Sequence, residues 1–248
     1  MSSALLAGTA NSNPLYAEIQ QQITRSLIGG EWKPGELIPS EIELSRRFGV
    51  SKGTVRRALE DLVSEKILVR RQGRGTFVAT HTRDRVMYHF FHLIGRDGSR
   101  EPPVATLLGY RVIKGTDEAC NKLRIERQSR LVNVQNSLAV GGKKVFVDDI
   151  LIPRSFFPGL TQKVFRDRES TIYALYQSRF NINVVRISEE LAAGHAPPEH
   201  AKRLAIHRSA PVLIIDRIAY TYQDKPIELR RSWVNTASHV YLSDLWKS

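Results

Sequence analysis

A short segment in the first third of the chain concentrates side chains that bind phosphates and guanine bases. Ser51, Lys52, Thr54, Arg56 and Arg57 lie within seven consecutive positions. Phosphate oxygens and base edges accept hydrogen bonds from hydroxyls, guanidinium groups and the free N–H groups of a helix N-terminus. These residue types predict contact with a nucleic acid, provided that one helix presents them together.

The net charge of the surrounding segment supports this prediction. Residues 46–74 contain nine Lys/Arg and three Asp/Glu, a net charge of +6, which is half of the +12 carried by all 248 residues. A solvated basic surface without a partner is the alternative interpretation. We favour nucleic-acid binding because charge, helix signals and turn signals agree over the same stretch.

Two helices joined by a tight turn are predicted to position these side chains. Pro39 precedes the first helix, and Ser40 with Glu43 has the Ser-x-x-Glu spacing of a capping box. Gly49 suits the left-handed residue that ends a helix, and Ser51 can cap the next one. That helix should bury the apolar residues that recur at helical spacing, namely Val55, Ala58, Leu59, Leu62 and Val63.

A β-hairpin is predicted to follow the second helix. Residues 68–71 and 76–79 flank Gln72-Gly73-Arg74-Gly75, whose two glycines permit the positive φ angles of a four-residue loop. Arg74 at the tip could reach a minor groove. Two helices, a turn and a glycine-tipped hairpin are together typical of a winged helix-turn-helix.

A further helix should precede this pair and complete the domain. It begins at Pro14, and its apolar stripe consists of Tyr16, Ile19, Ile23 and Leu27. The DNA-binding domain is therefore predicted to span residues 14–79. Residues 1–13 are small and polar and are expected to form a disordered tail.

These N-terminal motifs closely resemble the DNA-binding domain of GntR-family bacterial transcription regulators. The resemblance rests on G-E-W-K-P-G-E-x-I-P-S-E-x-E-L, F-G-V-S-x-x-T-V-R-R-A-L and R-x-G-x-G-T-F-V. It implies that Ser51, Lys52, Thr54 and Arg56 contact double-stranded DNA from the recognition helix, and Arg74 and Gly75 from the wing tip. Ser40 and Arg57 complete the predicted DNA-binding set. Ile42 departs from the pattern, since many relatives carry a basic residue there.

The remainder of the chain has the pattern of an antiparallel sheet with helices packed on it. After a linker at residues 80–91, the predicted strands are 106–113, 130–140, 143–152, 184–191, 212–222 and 226–234, and the predicted helices are 117–123, 170–180 and 197–204. The apolar segment 87–95 should be a strand or an anchor that docks the linker. Gly141-Gly142 and Gln223-Asp224-Lys225 are hairpin signals. Strands joined by hairpins indicate an α+β domain over residues 92–248.

This C-terminal half is similar to the effector-binding domain of the HutC branch of the same family, called UTRA. The similarity rests on the order of elements, on FPGL at 157–160, on Ser-Thr-Ile-Tyr at 170–173 and on the closing hairpin DKPIELRRSW. It implies a chorismate-lyase-like fold, an antiparallel sheet with helices, and ligand sensing rather than catalysis.

The resemblance also implies a set of effector-binding residues. In relatives that bind phosphosugars an R-x-R pair precedes the Gly-rich hairpin, and here Asn136 and Leu138 stand at those positions. The implied set is Asn136, Asp148, Thr171, Tyr173, Glu228 and Trp233. The absence of the arginine pair disfavours a phosphosugar and leaves a carboxylate, an amino-acid derivative or a neutral sugar. Asp149 is the alternative to Asp148, because adjacent strand residues face opposite sides.

Several members of this set have a purely structural alternative. Thr171 could be only a helix cap, and Tyr173 could belong to the core. Glu228 could pair with Arg230 or Arg231 on the same stretch of strand.

Composition excludes several other classes of protein. There is no run of eighteen apolar residues, and the N-terminus lacks the basic and apolar regions of a signal peptide, so a cytoplasmic protein without a membrane span is expected. A single cysteine, Cys120, excludes an internal disulfide and a cysteine-rich metal site. The histidines form no ligand pair, and no catalytic triad or nucleotide loop is present. We therefore predict no catalytic residues, metal or cofactor.

The sequence thus predicts a ligand-responsive transcription regulator, most simply a repressor. A homodimer reading a palindromic operator is expected, because two recognition helices multiply affinity and selectivity. Two alternatives remain. One is a constitutive DNA-binding regulator with a vestigial pocket, and the other is an enzyme domain of the lyase-like fold fused to a DNA-binding head.

Overall fold

The computed structural model describes residues 14–80 and 91–243. The chain divides into two compact units, with the boundary in the sequence between Ala79 and Thr80. The predicted N-terminal tail at 1–13 and most of the predicted linker at 80–91 lie outside the described residues, so those domain boundaries stay predictions.

The first unit is a winged helix-turn-helix. Its elements are α1 (Leu15–Ile28), α2 (Glu41–Phe48), α3 (Lys52–Ser64), β1 (Leu68–Arg71) and β2 (Gly75–Val78). One apolar core holds the three helices together through Ile19, Ile23, Leu27, Leu44, Val55, Ala58, Leu59 and Leu62, all almost fully buried.

Local hydrogen bonds determine where α2 and α3 begin and end. Ser40 and Glu43 form the predicted capping box, with each side chain bonded to the other residue's backbone N–H. Gly49 ends α2 in the left-handed conformation at φ 65°, and Ser51 caps α3 by accepting a hydrogen bond from the Thr54 amide. Val63, predicted to be buried, is only half-buried at the end of α3.

The wing is one residue tighter than predicted. Arg71 pairs directly with Gly75, so Gly75 is the first residue of β2 and the loop has three residues rather than four. A glycine is required there because φ is +105° and an added Cβ would lie 2.6 Å from Leu37 Cδ1.

The second unit is built on a six-stranded antiparallel sheet. The strands of this unit, in chain order, are β3 (Leu93–Gly95), β4 (Val104–Lys114), β5 (Arg130–Val140), β6 (Lys143–Pro153), β7 (Arg186–His195), β8 (Pro211–Thr221), β9 (Lys225–Val234) and β10 (His239–Tyr241). The large sheet has the order β4-β5-β6-β9-β8-β7, and β3 pairs with β10 in a separate two-stranded sheet.

Helices cover both faces of the large sheet. They are α4 (Asp117–Leu123), α5 (Gln162–Arg166), α6 (Ile172–Phe180) and α7 (Pro198–Leu204). Helix α6 packs on the face of the sheet that carries Val134 and Ile150. Helices α4 and α7 pack on the other face, which carries Leu151 and Trp233. We call the first of these the cavity face and the second the opposite face.

The architecture agrees with the predicted α+β class, with shifts at several ends. The predicted strand 184–191 is observed at Arg186–His195, and the predicted helix 170–180 begins at Ile172 with Thr171 as its N-cap. The part of segment 87–95 that is described contains β3. Within the described ranges, no helix is long and apolar enough to span a membrane.

Candidate DNA-binding surface and effector cavity

Helix α3 presents one polar side to solvent and buries the other. Ser51, Lys52 and Arg56 are exposed, whereas Val55 is completely buried against the core. Thr54 is half-buried, and its hydroxyl lies 2.9 Å from that of Ser51. The predicted recognition helix therefore leaves a lysine and an arginine side by side on its exposed face, with two hydroxyls at its N-terminus.

Glu41 of α2 fixes the position of Arg56. Its Oε2 accepts hydrogen bonds from Nε and Nη2 of Arg56 at 3.1 and 2.9 Å, and its Oε1 accepts one from Arg70 of β1 at 3.3 Å. The hydrogen bond from Arg56 has the largest effect on Glu41 and lowers its pKa. The charges of Arg56 and Arg70 act in the same direction, and partial burial opposes them. One carboxylate thus joins α2, α3 and the wing, a role that the sequence alone did not reveal.

The other predicted DNA-binding residues occupy different surroundings. Arg57 stacks its guanidinium on the ring of Tyr16, 4.0 Å from the centroid, so it lies beside α1. Ser40 is exposed, but its hydroxyl is engaged with Glu43 in the helix cap. Arg74 and Gly75 are exposed at the wing.

The second unit contains a cavity of about 360 Å³ between the cavity face of the sheet and the N-terminus of α6. This volume lies near the lower end of the range typical of small-molecule sites, about 300–1,000 Å³. Its wall is formed by Phe91, Pro103, Val104, Ala105, Asn136, Leu138, Asp148, Arg166, Arg168, Glu169, Ser170, Thr171, Ile172, Tyr173, Arg217 and Arg230.

Two buried polar residues without full hydrogen bonding form the cavity floor. Asn136 of β5 and Asp148 of β6 are directly paired across the sheet, and each is 1% exposed. Ser232 donates a hydrogen bond of 2.6 Å to Asp148 Oδ1. Among the described residues, Asp148 Oδ2 and both polar side-chain atoms of Asn136 have no partner. Leaving one such buried group unsatisfied costs about 1–3 kcal/mol, so the floor is suited to a bound polar ligand.

Burial also changes the pKa of the Asp148 carboxyl group at the floor. It raises the pKa of Asp148, and the nearby charge of Arg230 and the hydrogen bond from Ser232 only partly oppose it. The Arg230 guanidinium lies 3.9 Å from Asp148 Oδ2, too far for a hydrogen bond.

Two arginines on neighbouring strands border this floor. Arg230 of β9 and Arg217 of β8 are directly paired in register, and both line the cavity. Arg230 binds Glu228 at 2.8 Å, and Tyr176 of α6 donates to the same carboxylate at 2.7 Å. Arg217 binds Glu189 of β7 at 2.6 Å. Both guanidinium groups are thus held in place by buried glutamates.

Glu189 extends this arrangement away from the cavity. His92 Nδ1 lies 3.3 Å from Glu189 and 2.6 Å from the Tyr241 hydroxyl, which itself donates to Glu189. Burial opposes ionisation, but the bond from His92, the charge of Arg217 and the Tyr241 hydroxyl outweigh it and lower the pKa of Glu189 to about 2. A continuous polar chain therefore joins the cavity wall to the residues next to β3 and in β10.

A third arginine, Arg168, lies at the rim of the cavity, which we define by Arg166, Arg168 and Glu169. Arg168 donates to the Phe165 carbonyl at 2.6 Å and stacks on the Phe165 ring at 4.6 Å. Its Nε has no partner among the described residues, and within those ranges no carboxylate lies within 4 Å of it. Burial, with the charge of Arg230, lowers the pKa of Arg168.

The structure brings most of the predicted effector residues together. Asn136, Asp148, Thr171 and Tyr173 line the cavity. Thr171 is also the N-cap of α6, so its two interpretations are compatible. Glu228 is fully buried behind the wall, where it pairs with Arg230, the first of the two partners considered.

Strand register places two of the candidate residues, Trp233 and Asp149, on the face of the sheet away from the cavity. Trp233 needs correction as an effector residue, because it lies on the opposite face and packs edge-on against His200 at 4.3 Å. Asp149 also points to the opposite face, where Gln135 donates to it at 2.8 Å. Asp148 pairs with Ser232, one residue before the tryptophan.

Sequence reasoning missed the arginines of the cavity. Arg230 lies two residues from both Glu228 and Ser232, a period-two spacing that places all three on one face of a strand. That signal was available, whereas nothing local linked Arg168 or Arg217 to the same site.

Comparisons with known proteins agree with both halves of the structure. Residues 15–78 match the model of bacterial regulatory proteins of the gntR family, and residues 99–239 match the UTRA domain. The chain is similar to the HTH-type transcriptional repressor NagR of Bacillus subtilis, with 30% identity over 88% of this chain and 89% of NagR. It is also similar to the histidine utilization repressor of Pseudomonas putida, with 28% identity over 82% and 81%.

A solved structure shows the same fold for the second unit. It is the ligand-binding domain of a protein described as a GntR-family transcriptional regulator from Bordetella bronchiseptica, with 29% identity and a TM-score of 0.61. The match covers 64% of this chain and 99% of that one. Both matched domains are those of transcription regulators, not enzymes. The chain therefore belongs to the GntR family of bacterial regulatory proteins, among the members that carry a UTRA domain.

Proposed function

We propose that this protein is a repressor that leaves its DNA when a small molecule occupies the cavity of the second unit. The observation that carries the proposal is the cavity floor, where Asn136 and Asp148 line the cavity with buried polar atoms that have no hydrogen-bond partner among the described residues. A vestigial pocket would have no reason to retain such groups, since apolar residues would be more stable there. The names of the relatives, which are repressors, support the direction of regulation.

On the DNA side, we assign the principal contacts to the exposed side of α3. Arg56, oriented by Glu41, is suited to a base edge or phosphate, and Lys52 to a phosphate. Ser51 and Thr54 lie at the positive end of the same helix. Ser40, Arg57, Arg74 and Gly75 would contact the sugar-phosphate backbone or the minor groove beside it.

A homodimer in the cytoplasm, bound to a palindromic operator, is the assembly that fits these contacts. One recognition helix reads only a few base pairs, and a two-fold dimer doubles the number that are read. A change in the spacing of the two heads would then release DNA, because a head that misses its half-site removes most of the combined affinity.

The route from cavity to DNA-binding head would begin at Arg217. Arg217 lines the cavity, Glu189 binds Arg217, and His92 contacts Glu189. His92 follows directly after residues 80–91, which lead along the chain to the first unit. An effector that displaces Arg217 would alter the anchorage of this segment and so the preferred arrangement of the heads.

The test begins with DNA selection, because the operator is unknown. The full-length protein selects from random duplexes and from the DNA flanking its own gene, and affinities are measured by fluorescence anisotropy. Compounds that raise the melting temperature are then added to the complex. The proposal requires that at least one compound stabilise the protein and weaken its DNA binding. If stabilising compounds leave the DNA affinity unchanged, the protein is a constitutive regulator.

A further inference from the structure

Among the described residues of the cavity face, the carboxylate of Asp148 has the weakest charge pairing. Three carboxylates, of Asp148, Glu189 and Glu228, share the middle of this face with two guanidinium groups, those of Arg217 and Arg230. Each guanidinium has its own glutamate at 2.6 or 2.8 Å. Asp148 has only the Arg230 guanidinium, which lies 3.9 Å from its Oδ2 and is already bonded to Glu228, so its charge is only partly compensated among the described residues.

The unsatisfied atoms at the floor specify what a ligand must offer there. Asp148 Oδ2 and Asn136 Oδ1 are acceptors without donors in the described part of the chain, Asn136 Nδ2 is a donor without an acceptor there, and the two residues are directly paired. A hydroxyl can donate only one hydrogen bond and carries no charge. A primary ammonium group donates three and supplies the missing positive charge.

The rim of the cavity carries a guanidinium without a carboxylate partner among the described residues. Arg166 and Glu169 are exposed there, and Arg166 already binds Asp167 at 2.8 Å. Arg168 is half-buried, and no described carboxylate lies within 4 Å of it. Beside it the first turn of α6 presents backbone N–H groups, and this end of a helix favours an anion.

We propose that the effector is a zwitterion that lies across the cavity with an ammonium group at the floor and an acidic group at the rim. Asp148 and Asn136 bind the ammonium group. Arg168 and the first turn of α6 bind the acidic group, which is a carboxylate or a phosphate. The inference rests on the proposed sensing function and names the chemical class of its ligand.

The charges of Asp148 and Arg168 also disfavour the other classes of ligand that the sequence left open. A neutral sugar would leave both Asp148 and Arg168 without a counter-charge. A phosphosugar or simple carboxylate without a basic nitrogen would match Arg168, and sugar hydroxyls could donate to the floor acceptors, but neither ligand would supply a positive charge opposite Asp148. A molecule with both charges matches the charge at both ends.

Matched compounds test this inference on the full-length protein. Three sets are compared by thermal shift and titration calorimetry: 5-aminopentanoate with pentanoate and pentylamine; 2-aminoethyl phosphate with ethyl phosphate and ethanolamine; and the twenty common amino acids with glucose as the neutral compound. Zwitterions should bind at least about 10-fold more tightly than either half, because each half forgoes one charged hydrogen bond. The first two sets show whether carboxylate or phosphate is preferred at the rim.

The outcomes separate the two proposals. Glucose, or an acid without nitrogen, that binds as tightly as the zwitterions would overturn the charge assignment while leaving ligand sensing intact. Failure of every compound in these sets to stabilise the protein would contradict the zwitterion assignment, whereas the sensing function fails only if no compound of the wider screen both stabilises the protein and weakens its DNA binding.

Variants then assign each end of the ligand. Asp148→Asn should weaken binding of the best zwitterion about 10-fold or more but leave its deaminated analogue unchanged, which also shows that the cavity is still folded. Arg168→Gln should have the reverse pattern. Asp149→Asn, on the opposite face, and Arg179→Gln, exposed on α6, are the charge-matched controls. An equal weakening of both analogues in Asp148→Asn would refute the assignment of the ammonium site.

Discussion

Glu189 of β7 accepts two hydrogen bonds from Arg217 of β8, at 2.7 Å from Nε and 2.6 Å from Nη2. The same carboxylate contacts His92 and Tyr241. Arg217 lines the cavity and His92 directly follows residues 80–91, so Glu189 connects the cavity wall to the start of the described part of the second unit. Under the proposed function, this contact carries the effect of the ligand.

Glu189→Gln should separate ligand binding from its effect on DNA. The amide keeps the shape of the carboxylate but loses its charge, and it can no longer accept from Arg217, His92 and Tyr241 together. We expect the ligand to bind with similar affinity while the change in DNA affinity that it causes falls below about 5-fold, the lower end of typical allosteric coupling. Anisotropy with and without a stabilising ligand measures this.

Glu190→Gln is the matched control for this variant, since Glu190 is exposed on the opposite face of the same strand. It should retain the full coupling. Full coupling in Glu189→Gln as well would mean that the signal leaves the cavity by another route.

The first unit could be predicted closely because its signals are local. The capping box of Ser40 and Glu43, the left-handed Gly49 and the cap at Ser51 each depend on residues within a few positions. The relation of Glu41 to Arg56 was not predictable in this way, because it joins two helices through their packing.

The cavity could be predicted only in part because it depends on strand order and register. Asn136 and Asp148 were identified from the resemblance to the HutC branch, whose effector residues lie on the two strands of one short hairpin. Arg217 reaches them only because β9 lies between β6 and β8, a non-sequential order that no local pattern states. Trp233 was misassigned by a single residue, since one step along a strand reverses the face and Ser232 is the partner of Asp148.

Arg56→Ala should weaken operator binding by about 1–3 kcal/mol, roughly 5- to 150-fold, if its guanidinium contacts a base edge. The effect should be larger for the selected operator than for unrelated DNA, because base contacts carry sequence information and phosphate contacts do not. Anisotropy with both duplexes provides the comparison.

Arg25→Ala removes the same charge from the exposed side of α1 and serves as the control. It should preserve the ratio of specific to non-specific affinity. If Arg56→Ala also preserves that ratio, Arg56 contacts the DNA backbone and not a base.

Lys52→Ala should change how DNA binding depends on salt. Each phosphate neutralised by a protein cation contributes about 0.9 to the slope of log K against log salt concentration. If Lys52 contacts one phosphate, the slope should become shallower by about one unit. Lys163→Ala, exposed in the second unit, should leave it unchanged. An unaltered slope in Lys52→Ala would remove Lys52 from the DNA backbone.

Asp148→Asn should stabilise the ligand-free protein at neutral pH. Burial raises the pKa of Asp148 in the folded state, so the folded protein favours the protonated acid and loses stability as the pH rises through that pKa. The neighbouring charges of Arg230, Arg217 and Glu228 are unchanged by the substitution. Asparagine avoids burying the charge and can still accept the hydrogen bond from Ser232.

The melting temperature of the variant should therefore exceed that of the wild type at pH 7.5, and each 1 kcal/mol of relieved burial cost would raise it by about 2–4 °C in a protein of this size. The difference should shrink as the pH is lowered toward the ordinary pKa of an aspartate, where both side chains are neutral. Differential scanning calorimetry of the full chain from pH 4 to pH 8 measures it, with Asp149→Asn as the control. A variant that is less stable at every pH would mean that the Asp148 carboxylate is a structural partner of Arg230 rather than a group held ready for a ligand.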